Sequence, residues 1–259
     1  MNRKSLRLVF SILGSLLLLF ILIPIVNILI SSSPQALKET FTDREFIRSI
    51  TLTFTASGIA TVITLFTGLP LAYLLARHRF PGKSIVESII DLPIVIPHTA
   101  AGIALLMVYG SRGLLGKTVA SFGINFIDSL AGIVVAMAFV SLPYLVNLSR
   151  TAFASIDVEL EQAAYVDGAT SIQNFQHVIL PLAWRGIFSG ILMMWARGIS
   201  EFGAVVILAY NPKIIPVLIF ERFQGFGLEA AQPVAVLLIL IVLISFILLR
   251  LLLVDRFDR

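Results

Sequence analysis

Cysteine is absent from the 259 residues, which excludes disulfides, iron–sulfur clusters and cysteine nucleophiles. Only three histidines occur, His78, His98 and His177; their wide spacing matches no metal-ligand pattern, and no metal site is expected. Charged residues make up just 13% of the chain, too few to solvate a globular surface of this size. No Gly-x4-Gly-Lys-Ser/Thr loop is found, so the chain does not hydrolyse ATP by that chemistry. The net charge of +4 lacks a basic stripe or base-stacking motif, and no nucleic-acid partner is expected.

Apolar residues fill the space those absences leave. They amount to 58% of the chain, and mean hydropathy is +0.98, values of a polytopic, all-α membrane protein in the lipid bilayer. Six spans are predicted, at about 8–30, 50–76, 85–110, 129–149, 186–210 and 233–254, all in one transmembrane domain over 1–259. The first is too long for a signal-peptide core. With that start inside, eleven Lys/Arg fall on cytoplasmic segments and seven outside, leaving Arg197 within the membrane. The bias places both termini in the cytoplasm. Polar external segments are expected at 31–49, read as a solvated linker, at 111–128, and at 211–232 with an amphipathic helix near Pro216 to Phe223.

Residues 151–185 are the polar exception between two apolar spans. Asp157, Glu159 and Glu161 load a helix N-terminus with favourable acid, and Leu160, Ala163 and Ala164 form a narrow apolar face. Gly168 suits a left-handed helix end, Ser171 a second cap, Ile172, Phe175 and Ile179 a second helical stripe, and Pro181 a stop. A hairpin this short has no core of its own, so its stripe must be covered by lipid headgroups, by the bundle or by a partner's groove.

Two further stretches carry charge or proline into the spans. The third predicted span contains Asp91, Pro93, Pro97 and His98, and two prolines four apart preclude an undisturbed helix. Freed backbone at membrane depth survives against protein or a water-filled cavity. Pro97, His98 and Thr99 therefore mark either a packed kink or a gate. The fifth span contains Arg197 and Glu201, four apart and on one face of a helix. They are either a self-neutralised pair that fixes the bundle or a route for an anion, Glu201 preventing Arg197 from holding it too tightly.

The order Glu161, Gln162, Ala163, Ala164, Gly168, Ala169, Val178, Leu180, Pro181 resembles the cytoplasmic loop of permease subunits of binding-protein-dependent ABC importers. Gln162 stands where glutamate is usual and Val178 where isoleucine is usual. Leu71 through Lys83 is similar to the family's first cytoplasmic loop. Asp91 to Gly102, and Trp195 to Ala204 with Arg197, Ser200 and Glu201, resemble the molybdate, tungstate and sulfate branch. The resemblance implies a type I importer permease fold with six transmembrane helices and a coupling-helix loop at 151–185. It implies a non-catalytic subunit, a homodimer with the pathway at its interface, two ATP-binding cassette subunits that hold ATP and Mg, and an external oxyanion-binding protein. Import of molybdate or tungstate by alternating access across the plasma membrane would follow. Sulfate or thiosulfate is the nearest alternative cargo, and a stand-alone secondary anion transporter the alternative from another class.

Overall fold

The computed structural model describes residues 3–254, apart from the side chains of Val119 and residues 250–254. Among these the secondary structure is entirely helical. In chain order the helices are α1 (Arg3–Ser31), α2 (Pro34–Thr42), α3 (Arg44–Arg77), α4 (Lys83–Val95), α5 (His98–Tyr109), α6 (Gly116–Ala120), α7 (Leu130–Ala154), α8 (Val158–Val166), α9 (Ser171–Asn174), α10 (Leu180–Ile199), α11 (Gly203–Leu208), α12 (Ile215–Phe226) and α13 (Leu228–Val254). A single π-helical segment, Phe175–Ile179, joins α9 to α10. Five continuous helical stretches are long and apolar enough to span a bilayer, and the pair α4 and α5 makes a sixth if its two arms count as one span. All-α architecture and the number of spans agree with the sequence reading.

Several boundaries differ, each for a physical reason. Residues 31–49 are helical over most of their length rather than a linker: Ser33 caps α2 through Ala36 N, with Pro34 in its first turn, and α3 begins at Arg44. The third span bends by 113° between its arms. Of its two prolines, Pro93 is accommodated inside α4, whereas the break falls at Ile96 and Pro97, where a residue before proline is driven to extended backbone. The fifth span stops at Ile199 rather than Tyr210, for reasons given below. Pro181 does not end the polar unit at 151–185. The chain passes through it into α10 because it occupies the first helical turn, where its missing N–H breaks no bond.

The residues form two compact units, one drawn from Met1–Arg48 and Leu218–Leu249, the other from Ser49–Val217. In the first, Arg222 pairs with Asp43. The second holds the candidate functional residues. At its centre α7 and α10 lie side by side, and small residues permit the close approach that membrane helices rely on in place of a hydrophobic drive. A Cβ on Gly186 would meet Ala152 Cβ at 2.3 Å, and one on Gly190 would meet Leu145 O at 3.1 Å. Ile133, Met137, Val140, Leu145, Met194, Ala204, Val205 and Leu208 form one buried core; Leu75, Phe153, Ile179 and Ile187 anchor another toward the α8 end. Polar bonds fasten α4 to α7: Asn147 Nδ2 donates to Asp91 Oδ1 at 2.6 Å, and Arg150 pairs with Glu87.

Candidate functional site

The α8–α9 unit is built from strong local signals. Asp157 caps α8 by accepting from Glu159 N. At the other end Gly168 takes φ +87°; its N–H donates to Tyr165 O and that of Ala169 to Ala164 O, each at 3.0 Å. This paired closure satisfies helix-end carbonyls and fixes the turn. Thr170, not Ser171, caps the next helix. It accepts from Gln173 N while Gln173 Oε1 accepts from Thr170 N, a reciprocal box that Ser171 lacks the spacing to make.

The apolar stripe is wider than the sequence suggested. Val158, Leu160, Tyr165, Val166 and Ile172 are all exposed, Val166 by 87%, and the only buried residue of α8 is a charged one, Glu161. Gln162 and Ala163 are exposed, and Ala164 half-buried. Of the second stripe, Ile179 is fully buried, Phe175 half-buried and Ile172 turned outward. Glu161 faces inward instead of toward a partner: its Oε1 lies 2.5 Å from Arg77 Nη2. Leu180 is half-buried and Pro181 exposed at the start of α10.

A second cluster forms where two broken spans meet. Between α10 and α11 the residues Ser200, Glu201 and Phe202 are not helical. Glu201 bends its carboxylate back so that Oε1 accepts from Ala204 N at 2.8 Å, a local bond that competes with helix continuation. Arg197 and Glu201 thus pair across the end of α10 rather than along an unbroken helix. Glu201 Oε2 lies 3.0 Å from Arg197 Nη2 and 2.9 Å from His98 Nδ1. His98 is the first residue of α5, just past the other break. Arg197 Nη2 is 2.7 Å from His98 Nδ1, and Nη1 donates to Ser200 Oγ at 3.2 Å.

Glu201 is fully buried, while Pro97, Thr99 and Ser200 form an exposed rim. All six candidate residues are therefore neighbours. Glycines make the approach possible: a Cβ on Gly203 would meet His98 Cβ at 2.8 Å, and one on Gly102 would meet Ala204 O at 2.9 Å. Discontinuous membrane helices with half-helix ends converging on polar groups are a recurrent way to build a passage site.

With this geometry in place the comparisons are decisive. The profile of the binding-protein-dependent transport system inner membrane component family matches residues 68–259. The chain belongs to that family. It is therefore a multi-pass membrane permease of the ABC-importer kind. The molybdate/tungstate transport system permease protein WtpB of Thermococcus kodakarensis is 40% identical over 255 residues, covering 96% of this chain and 97% of that protein. The sulfate transport system permease protein CysT of Synechocystis is 34% identical, covering 91% of this permease and 85% of that one. Among solved structures, a bacterial alginate ABC transporter in complex with an alginate pentasaccharide-bound periplasmic protein matches with a TM-score of 0.77 at 18% identity. That match covers 96% of this chain and 94% of the other and speaks to the fold alone.

Some residues of this permease escaped the sequence reading. Arg77, one of the eleven basic residues that the predicted topology counts as cytoplasmic, holds Glu161 and also donates to Ile156 O at 3.0 Å. Ser57, whose Oγ donates to Trp195 O at 2.7 Å, gave no signal beyond a small-residue-rich span. Glu87 and Asp91, four apart near a span, were the detectable clue to the α4–α7 bonds, because intramembrane acids demand partners.

Proposed function

We propose that this chain is the transmembrane subunit of an ATP-driven importer of molybdate or tungstate. The observation that carries the reading is the α8–α9 unit, a short double helix closed by paired hydrogen bonds at Gly168, whose stripe from Val158 to Ile172 is left exposed among the described residues. An apolar stripe on a preformed helix fits a groove in a partner, and the partner here is an ATP-binding cassette subunit. Gln162, Ala163, Ala164, Gly168 and Ala169 form the docking element, with Leu180 and Pro181 joining it to the membrane. Glu161 contributes from inside, as the anchor of that element. Two copies of the chain work as a homodimer with two ATPases, both termini lie in the cytoplasm, and an external binding protein delivers the cargo.

This subunit is non-catalytic, with ATP and Mg held by the ATPase. His98, Arg197, Ser200 and Glu201, rimmed by Pro97 and Thr99, line the passage. There the buried carboxylate offsets the guanidinium, so a tetrahedral dianion meets a site that attracts without trapping. Alternating access follows from ATPase closure drawing the two α8–α9 units together, a rigid-element rearrangement. Molybdate and tungstate are favoured over sulfate by the higher identity to the permeases named for them.

Co-expression with the ATPase supplies the test. The two proteins are expected to elute from detergent in equal amounts, and disruption of residues 162–168 should abolish co-elution while the permease itself still folds. A stable permease with no bound ATPase would favour a stand-alone transporter.

A further inference from the structure

We propose that Arg77 is a positioning residue that locks the docking helix to α3 and makes α3 a connecting rod between the ATPase dock and the passage. The proposal rests on the coupling role assigned above. Its starting point is an inversion of the usual pattern: the apolar side chains of α8 lie outside, and its one buried side chain is a carboxylate. A buried charge is tolerated when paired and becomes a liability once its partner is withdrawn.

The partner is the last residue of α3. Arg77 Nη2 reaches two points of the docking element at once, Glu161 Oε1 at 2.5 Å in the body of α8 and Ile156 O at 3.0 Å just ahead of its cap. Both side chains of the pair are only 11% exposed. One turn back on α3, Tyr73 packs edge-on against Phe153 at the end of α7 and Phe175 in the π segment, with ring centroids 5.4 and 5.2 Å apart. Helix α3 is remote in sequence from the docking element, yet it grips the element at the cap, the helix body and the π segment.

A second contact of α3 lies about 30 Å along the helix, twenty residues toward its start at 1.5 Å per residue. There Ser57 Oγ donates to Trp195 O at 2.7 Å. Gly198 is so close that a Cβ on it would meet the same Oγ at 2.4 Å. Trp195 and Gly198 flank Arg197. The α3 helix therefore touches the dock at its last residue and the backbone beside the passage near its middle, in parallel with the covalent route through α10. Because α8 cannot lift from α3 without stranding Glu161, displacement of the dock carries α3 with it.

The test uses the permease–ATPase complex in liposomes with the binding protein outside and ATP trapped inside, reading tungstate imported per ATP hydrolysed. Glu161→Gln and Arg77→Gln are expected to keep stoichiometric ATPase and ATP hydrolysis while import per ATP falls about tenfold. The exchange Arg77→Glu with Glu161→Arg should restore import per ATP to within about threefold of the original. Single variants that import as efficiently as the parent overturn the proposal. So do single variants that lose the ATPase altogether, because the pair would then shape the dock rather than transmit from it. Should the single variants fail to fold, the exchange alone decides: recovered coupling supports the rod, and its absence refutes it. Failure of the unaltered chain to bind the ATPase is a separate result and removes the docking role itself.

Discussion

Glu201→Ala should sharply reduce the amount of folded permease recovered from the membrane. The carboxylate performs two tasks from a fully buried position. Oε1 caps the start of α11 at Ala204 N, and Oε2 faces Arg197 and His98. Its removal leaves the guanidinium without its counter-charge inside the bundle, and breaking such a buried pair costs about 3 to 5 kcal/mol. Loss of the cap adds about 1 kcal/mol. Total domain stabilities are only about 5 to 15 kcal/mol, so the sum is a large part of what holds the permease together. Glu201→Gln separates the two tasks, since an amide oxygen still accepts from Ala204 N while the charge is gone. That variant should assemble better than Glu201→Ala yet transport poorly, because Arg197 is then free to hold an anion. Size-exclusion profiles and thermal unfolding in detergent, read beside uptake, check both. A Glu201→Ala protein as stable as the parent would show that the pair does not brace the two broken helices.

The second large effect is expected at Gly168. Its φ of +87° is one that side chains rarely adopt, and the cost for an L-residue is about 1 to 2 kcal/mol, with β-branched residues at the unfavourable end. No atom lies within 4 Å of a Cβ built there, so Gly168→Val acts through backbone strain rather than a clash. The turn between α8 and α9 should open and lose the bonds from Gly168 N and Ala169 N. The membrane helices should be untouched. Import per ATP hydrolysed should drop about tenfold, whereas Gly168→Asn, which tolerates the left-handed conformation, should stay near the parent. Equal behaviour of the valine and asparagine variants, measured as coupling ratios in liposomes, would remove the rigid turn from the mechanism.

What could be read from the sequence was local or compositional. Hydropathy located the spans, because a bilayer imposes length and apolarity on every crossing, and a lone glycine after an acid-led helix announced the turn at Gly168. The six residues of the cluster around Glu201 are legible only as two separate fragments, one from proline spacing and one from intramembrane charge. Nothing in the sequence said that His98 would lie against Glu201. That contact depends on two helices breaking at the same place, and the second break was hidden because Arg197 and Glu201 also suit an unbroken helix. The tertiary role of Arg77 is hidden for a related reason. A basic residue at the cytoplasmic end of a span satisfies the topology rule by itself, which masks any tertiary role. Sequence periodicity likewise marks Leu160, Ala163 and Ala164 as the apolar face of α8 without saying what covers it, and it holds no sign that the Arg77 pair turns Glu161 inward and leaves Leu160 outside.

The most direct measurement is uptake of radiolabelled tungstate into liposomes that carry the permease and its ATPase. The account predicts accumulation only when ATP is trapped inside and the loaded binding protein is present outside, with cold molybdate competing strongly and sulfate weakly. Accumulation that proceeds without ATP and follows an imposed ion gradient would contradict it and identify a secondary anion transporter.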